Sequence, residues 1–535
     1  MVSQHRQDDS VELVRHVSLD SYGRSNHTAH DDNESTVSLL DSQSSTRTHR
    51  PLVLLARSFT LQYWRRVRKH AVRRVEKIRR RQSRIPEWFQ WLLWLAYVCL
   101  TSLLVITIVV GAFFPSYTRP PPHYQSLRAR VEDGWASGSA NVGKEKVYIA
   151  ASIYDPGGVL ASGDWASNVL ELVHILGPEN VYLSIFENDS GDEALEALSQ
   201  LEARIPCNHT LVCEGHLNLE GVPHVILPDG TRRIKRIAYL AEVRNRALKP
   251  LEQAPLRFDR LLYINDVVFD PVEAAQLLFS TNADLEGKAQ YRAACAVDFI
   301  NPFKFYDTLA TRDLDGFQIG VPFFPWFSAV GDGITLEEVL NENDAVRVRS
   351  CWGGMVAYDA TFFQNWQNEA ITIRTAGNQS PSLLTAPYRF RSETDLWWDA
   401  SECCLIQADI QRPDQADTEI YMNPYVRVAY DSRTLSWLWL SKRFERLYTP
   451  IHLIADILVS LPSLNPRRGE VPWHTVEEDV WKVDSTQPEN GTWHKAIRIA
   501  KHDGFCGRRK LPVVKEVRVP GEKYWEFIEP PSLSN

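Results

Sequence analysis

Between Trp91 and Phe114 the chain runs for 24 residues without a charge, WLLWLAYVCLTSLLVITIVVGAFF. About 20 apolar residues in a helix span the ~30 Å hydrocarbon layer of a bilayer, so this run is predicted to cross a membrane once. It starts too far into the chain, and is too long, for a cleaved signal peptide. Trp88, Trp91, Trp94 and Tyr97 lie toward one end and Tyr117 just past the other, where amphipathic rings sit at headgroup level. Upstream, between Arg57 and Arg84, stand twelve Lys or Arg and one acid, Glu76. Such a basic flank stays on the cytosolic side and can hold anionic lipid. The sequence therefore predicts a single-pass type II protein in a Golgi or other secretory-pathway membrane, with a cytosolic N-terminus and a lumenal body.

Residues 1 to about 50 carry few large apolar groups and cannot offset the entropy of ordering. Residues 1–90 are thus expected to form a disordered basic tail, 91–114 the membrane helix, and 115–145 a stem marked by Pro120-Pro121-Pro122. Since the net charge is -8 although this tail is basic, the remainder is acidic, which argues against a nucleic-acid partner. Four sequons follow the membrane run, at Asn188, Asn208, Asn378 and Asn490. Seven of the eight cysteines also lie beyond it, in a compartment that permits disulfides. Cys207 and Cys213 are spaced to close a small loop, though spacing does not fix pairing, and without CxxC pairs a zinc site is not expected.

The body alternates strand and helix signals, which predicts an α/β fold with a mostly parallel sheet and flanking helices. Strands are read at 146–153, 181–186 and, short, 224–227. Helices are read at 164–176, at 191–203 with Ser190 as its cap, and at 234–248. From Ala293 the rhythm gives way to irregular, aromatic-rich stretches of the kind that carry ligand contacts. A C-terminal extension, 436–535, contains the apolar run IHLIADILVSLPSL, to which the sequence assigns no role.

At the centre lies Arg260–Phe269, RLLYINDVVF. An apolar strand covered on both faces that ends in Asn265-Asp266 would place an oxygen ligand at a sheet's carboxyl edge, where ligands of such folds bind. The alternative at this point is an Asx turn in which Asp266 binds only backbone amides. Other polar groups at element ends are Glu187 to Asp192, Arg244-Asn245, Asp298, Arg312 to Gly316, Trp352-Gly353-Gly354, and Glu393 through Asp399 to Glu402. Arginine supplies a planar fork for phosphate, and the two glycines allow close backbone approach or a tight turn.

Several strings in order, YLSIFENDSGDEALEAL, AYLAEVRNRAL, LLYINDVVFDP, ACAVDF, FYDTLATRDLDG, SCWGGMVAYDA and ASECCL, resemble the fungal family of cryptococcal α-1,3-mannosyltransferases and capsule-associated proteins. The resemblance spans roughly residues 146 to 430. It implies a GT-A-like, Rossmann-like catalytic domain over 146–435 and retaining transfer of mannose from GDP-mannose to a glycan hydroxyl, with Mn2+ or Mg2+ as cofactor. It also implies Asp266 as the metal-side carboxylate. Glu187, Asp192, Arg244, Asn245 and Asn265 would lie around the donor, and Trp352, Gly353 and Gly354 would border the acceptor side. Asp399 and Glu402 are the candidate catalytic carboxylates beside an oxocarbenium-like sugar. The chain departs from the DxD pattern of GT-A enzymes, having Asn265-Asp266-Val267. That departure leaves two alternatives: a carbohydrate-binding or wall-assembly protein on the same fold, or an enzyme using a UDP-sugar.

Overall fold

The structure is a computed structural model describing residues 86–134, 136–215, 217–365, 386–411, 417–482, 491–516 and 523–530. The tail, its basic block and the sequons at Asn378 and Asn490 lie outside these residues. The described residues fall into two units that divide between Val109 and Val110. In the first, residues 86–109 form most of helix α1 (Glu87–Phe113), which is long and apolar enough to cross a membrane and has exposed side chains along its length.

In the larger unit the elements follow in the order α2 (Pro122–Glu132), β1 (Val147–Ile153), α3 (Val159–Ser162), α4 (Asp164–Leu176), β2 (Val181–Asn188), α5 (Asp192–Glu202) and β3 (Asn208–Glu214). A ribbon of β4 (His224–Ile226) and β5 (Arg232–Ile234) precedes α6 (Arg236–Gln253), β6 (Arg260–Ile264), α7 (Pro271–Ser280) and β7 (Ala293–Asn301). Then come β8 (Lys304–Phe305), β9 (Arg312–Asp313), α8 (Ile334–Leu340), β10 (Val346–Ser350), β11 (Met355–Asp359), β12 (Asp399–Ala400), α9 (Glu402–Ile410) and β13 (Ile420–Ala429). The chain continues through α10 (Ser432–Ser441), α11 (Thr449–Val459), the hairpin β14 (Thr475–Lys482) with β15 (Thr492–Ile499), β16 (Gly507–Arg508), β17 (Pro512–Val514) and β18 (Trp525–Phe527).

One sheet organises the unit, in the order β3-β2-β1-β6-β11-β7-β13-β10-β9. Its first four strands are parallel, β11 runs against both neighbours, and β7 and β13 are parallel again. Alternation along the strands loads both faces. Tyr148, Ala150, Leu261 and Tyr263 join the core beneath α6, whereas Val147, Ile149, Ala151, Leu262 and Ile264 join the core shared with α4 and α7. All five residues of β6 are buried, which explains the apolar run Leu261–Ile264, and the Arg260 that opens it is paired with Glu145.

Several expectations change. The stretch after Ala293 is more regular than expected, supplying β7, β10, β11 and β13 to the sheet, although it also carries side chains of the candidate site. The 224–227 strand exists but lies in the side ribbon, and the third parallel strand is β3, whose NHTLVCE is too polar to read as one. Ser190 does not cap α5. Gly191, at φ +88°, takes that position, and the Ser190 hydroxyl instead accepts the Asp155 amide at 2.8 Å. The stretch expected to act as a stem packs Tyr117, Tyr124, Leu127 and Val131 into the body. Cys207 and Cys213 are both free, while Cys295–Cys351 and Cys404–Cys506 form disulfides.

Candidate active site

Strand β6 delivers Asn265 and Asp266 just past its last residue. The Asn265 amide donates to the Gly354 carbonyl at 2.9 Å, and Trp165 Nε1 of α4 donates to the Asn265 carbonyl at 2.8 Å. With the backbone fixed from both sides, the Asn265 side chain reaches Arg244 of α6, whose Nη1 donates to Oδ1 at 3.0 Å. The next acid, Asp270, caps α7 through the amides of Val272 and Glu273 and is thereby accounted for.

Arg244 is the centre of the arrangement. Its Nε donates to Glu402 Oε1 at 2.9 Å, and its guanidinium lies 4.2 Å from the Trp352 ring centroid, with Tyr263 at 5.4 Å and Phe390 at 5.8 Å. Burial opposes its charge, but Cys403, Glu402 and Tyr263 push its pKa above the ordinary arginine value, so it stays a cation. Asn245 does not face this space. Its side chain pairs both ways with the backbone of Phe390, at 2.8 and 2.9 Å, and so positions that ring.

Asp266 is exposed to solvent, yet protein is crowded around it. Loss of surrounding water raises its pKa; Arg244 acts in the opposite sense and Asp155 adds like charge. Among the described residues no side chain donates a hydrogen bond to it. A carboxylate so placed fits a hard divalent cation, whose charge would offset the lost hydration. Asp155 holds the amides of Leu160 and Ala161 at 2.8 and 2.9 Å. It stands two residues past β1 as Asp266 stands two past the neighbouring β6, a spacing that could have revealed it in the sequence.

Glu187 lies at the same carboxyl edge, at the end of β2, and is fully buried. Its carboxylate is engaged by the Ser190 amide at 3.1 Å and the Cys213 thiol at 2.7 Å, and makes no contact with Asp266 or Arg244. Asp192 is exposed in the first turn of α5. Asp399 is buried and turned toward Arg508, Lys235 and Arg236; desolvation raises its pKa against their pull. Lys235 donates to three carbonyls, of Glu393, Asp395 and Trp398, and burial pulls its pKa down to about 8.

The two glycines serve the scaffold. At Gly353 (φ +54°) a Cβ would overlap the Ala296 carbonyl, and at Gly354 (φ +68°) it would strike Val267. The turn is tied to β7 by the Cys295–Cys351 bond, and both devices hold Trp352 over Arg244.

The sequence singled out Asp298 but not its buried partner, Asp307. Asp298 accepts the Asp307 amide at 3.0 Å and the Tyr430 hydroxyl at 3.1 Å. Burial first, then Asp307, pushes Asp298 up to about 8. Tyr430 also senses the charge of Asp266, so the pair belongs to the same end of the sheet. Elsewhere Asp409, His502 and Asp503 cluster as a metal triad would. The guanidinium of Arg391 already bridges Asp409 and Asp503, so their charge is met without an ion. A groove of about 630 Å3 lies apart from Arg244, between α6 and β2–β3, and includes Tyr182, Thr210, Arg246 and Phe258.

Residues 146–409 match the family model described as Cryptococcal mannosyltransferase 1. No curated protein matches the chain in sequence. Among solved structures it is similar to mannosyltransferase PcManGT from Pyrobaculum calidifontis in complex with GDP-Man and Mn2+, at 11% identity over 68% of this chain and 87% of that one, with a TM-score of 0.30. A mycobacterial protein gives 12% identity over 72% and 92%, with a TM-score of 0.29. Mannosyl-3-phosphoglycerate synthase from Rubrobacter xylanophilus gives 12% over 73% and 94%, with a TM-score of 0.26. Over residues 146–409 the chain is similar to the cryptococcal mannosyltransferase 1 family, and that likeness marks it as a mannosyltransferase-like glycosyltransferase.

Proposed function

We propose that the chain transfers mannose from GDP-mannose to a glycan hydroxyl at the carboxyl edge of β6, on the lumenal side of a Golgi or other secretory-pathway membrane. The observation that carries this reading is Arg244, a caged cation sharing Asn265 with the strand end that bears Asp266. Loss of a nucleoside diphosphate builds negative charge on the leaving oxygens, and a fixed guanidinium meets that charge without reorganising. Glu402 holds the fork in place and is the carboxylate nearest to it. Asp266 would hold Mn2+ or Mg2+, and the cation, when bound, supplies charge neutralisation at the diphosphate. Glu187 and Asp192 would lie toward the nucleoside, and Trp352 would border the acceptor while shielding Arg244 from water. Asp399, set among three cations, tunes the field behind Glu402 instead of attacking the sugar.

Two observations support the lumenal placement. One is the helix Glu87–Phe113, which meets the length and polarity needed to span a bilayer. The other is the pair of disulfides in the body, bonds that persist in the secretory pathway and not in the cytosol. The reading is tested with the full chain in membranes, offered GDP-mannose, UDP-xylose and UDP-glucose with and without Mn2+. Metal-dependent release of GDP with transfer to a glycan supports it. Turnover of a UDP-sugar alone overturns the donor, and binding without turnover of any donor overturns the enzyme.

A further inference from the structure

The apolar run IHLIADILV forms α11, and α11 is built inside out. Its polar residues face the body. His452 and Asp456, one turn apart, are buried and lie 3.4 Å from each other, and Asp456 accepts the Val321 amide at 2.7 Å. Its aliphatic residues face away: Ile451, Ile454, Ile457 and Leu458 are all exposed, the last two at 80% and 78%. Leu464, a few residues further on, is exposed as well, as are Trp437 and Trp439 of α10. A contiguous apolar face of this kind marks a contact with something other than water.

The position of α11 in the chain says what covers it. Helix α1 ends at Phe113, and three residues on, the Ser116 amide donates to the Lys442 carbonyl at 3.2 Å. The Phe444 ring lies over Gly111, where any side chain would collide with it. Residues 442–448 link α10 directly to α11. The apolar face is therefore tethered, within a few residues, to the point where α1 would leave the bilayer. Trp at an interface and aliphatics beneath it are the composition of a helix lying in the headgroup–acyl boundary. In the same link Arg446 is paired with Glu342 and Lys442 lies beside Glu273 and Glu445, so the basic contribution to an anionic headgroup contact falls to Arg443.

We propose that α10 and α11 form a second, monotopic membrane contact, in which α11 lies in the surface of the bilayer that α1 crosses. The face then fixes the body against the lipid instead of leaving it to swing on one helix. The proposal rests on the reading of Glu87–Phe113 as a membrane span. Its test uses the full chain in phosphatidylcholine nanodiscs containing doxyl-labelled lipid, with a genetically encoded fluorescent residue at one position per sample. The positions are 458 in α11, 99 in α1, and 195, an exposed leucine of α5 at the other edge of the sheet. Quenching at 458 comparable with that at 99, with none at 195, is the expected result. Quenching at 99 but not at 458 overturns the inference and leaves the span intact. No quenching at 99 removes the span, and the inference with it. Position 458 unquenched but crosslinking to a second chain assigns the face to another copy, and also overturns it. With Ile457→Glu and Leu458→Glu together, a probe at 437 should lose its quenching while one at 99 keeps it.

Discussion

Arg244 Nε and Glu402 Oε1 stand 2.9 Å apart, with side chains only 11% and 3% exposed, although 158 residues separate them in the chain. Removing one partner leaves the other charge buried and unpaired. Arg244→Ala is expected to cost roughly 3–5 kcal/mol of stability. Arg244→Lys keeps the charge but loses the fork, which must reach Glu402 and Asn265 together. It should lower kcat/KM about 10²–10³-fold, the usual loss of one preorganised donor. Steady-state kinetics and thermal unfolding of the two variants separate these effects.

Asp266→Asn is expected to abolish metal-dependent transfer while leaving the melting temperature equal to or above that of the parent. The protein crowded around Asp266 strips part of the water from its carboxylate and disfavours the charge, so neutralising it removes an unfavourable term. A fall in stability parallel to the loss of activity would mean that Asp266 is a structural acid.

Asp298 gives the fold a pH dependence of unusual sign for an acid. Its pKa is about 3.9 unfolded and is pushed up to about 8 when folded, so the folded form binds the proton more tightly. Its contribution is fully present below pH ~4, is lost as pH rises toward about 8, and changes no further above that. Asp298→Asn should flatten this slope and make the protein more stable than the parent at pH 8. Unfolding midpoints measured from pH 5 to 9 check it.

Asn208 is exposed at the start of β3, whereas Asn188 is buried with its amide donating to Asp189 and Tyr239. With the body in the secretory lumen, Asn208→Gln should remove one glycan on a mobility gel and Asn188→Gln none. No glycan at either position in a chain that enters the membrane would reverse the proposed topology.

Cys404 and Cys506 close a loop with a separation of 102 residues. By the chain-entropy account such a bridge contributes about 4–5 kcal/mol. Cys506→Ala should therefore lower stability by a comparable amount and raise proteolysis after residue 500, a region otherwise held by Arg312, which donates to the carbonyls of Phe505 and Cys506.

The sequence made some elements legible and not others for physical reasons. Helix Asp164–Leu176 and strand Arg260–Ile264 follow from an apolar stripe and an unbroken apolar run, signals carried by neighbours in the chain. Ser190 is a good cap by residue type, but a glycine at φ +88° came between it and the helix. Asp266 could be picked out because it sits at a strand end, and Arg244 because it is a fork-bearing cation on a helix, although that helix runs on to Gln253 and leaves Arg244 at its middle. Glu402 could be picked out too, but its pairing could not: Glu402 meets Arg244 and Phe390 meets Asn245 across more than a hundred residues, contacts fixed only by the sheet order. Asn245, Gly353 and Gly354 have the residue types of a ligand site, yet their partners are Phe390, Ala296 and Val267.

The bridge between Cys404 and Cys506 also sets a timetable. Glu402 precedes Cys404 by two residues, so the helix that steadies Arg244 is fastened by a cysteine the ribosome has yet to reach when that helix emerges. A nascent chain carries a complete β6 and α6 long before it can lock them to α9. On the proposed lumenal placement, oxidation of this pair would gate maturation, and chains that stall or are clipped before residue 506 would leave Glu402 and its helix unsecured.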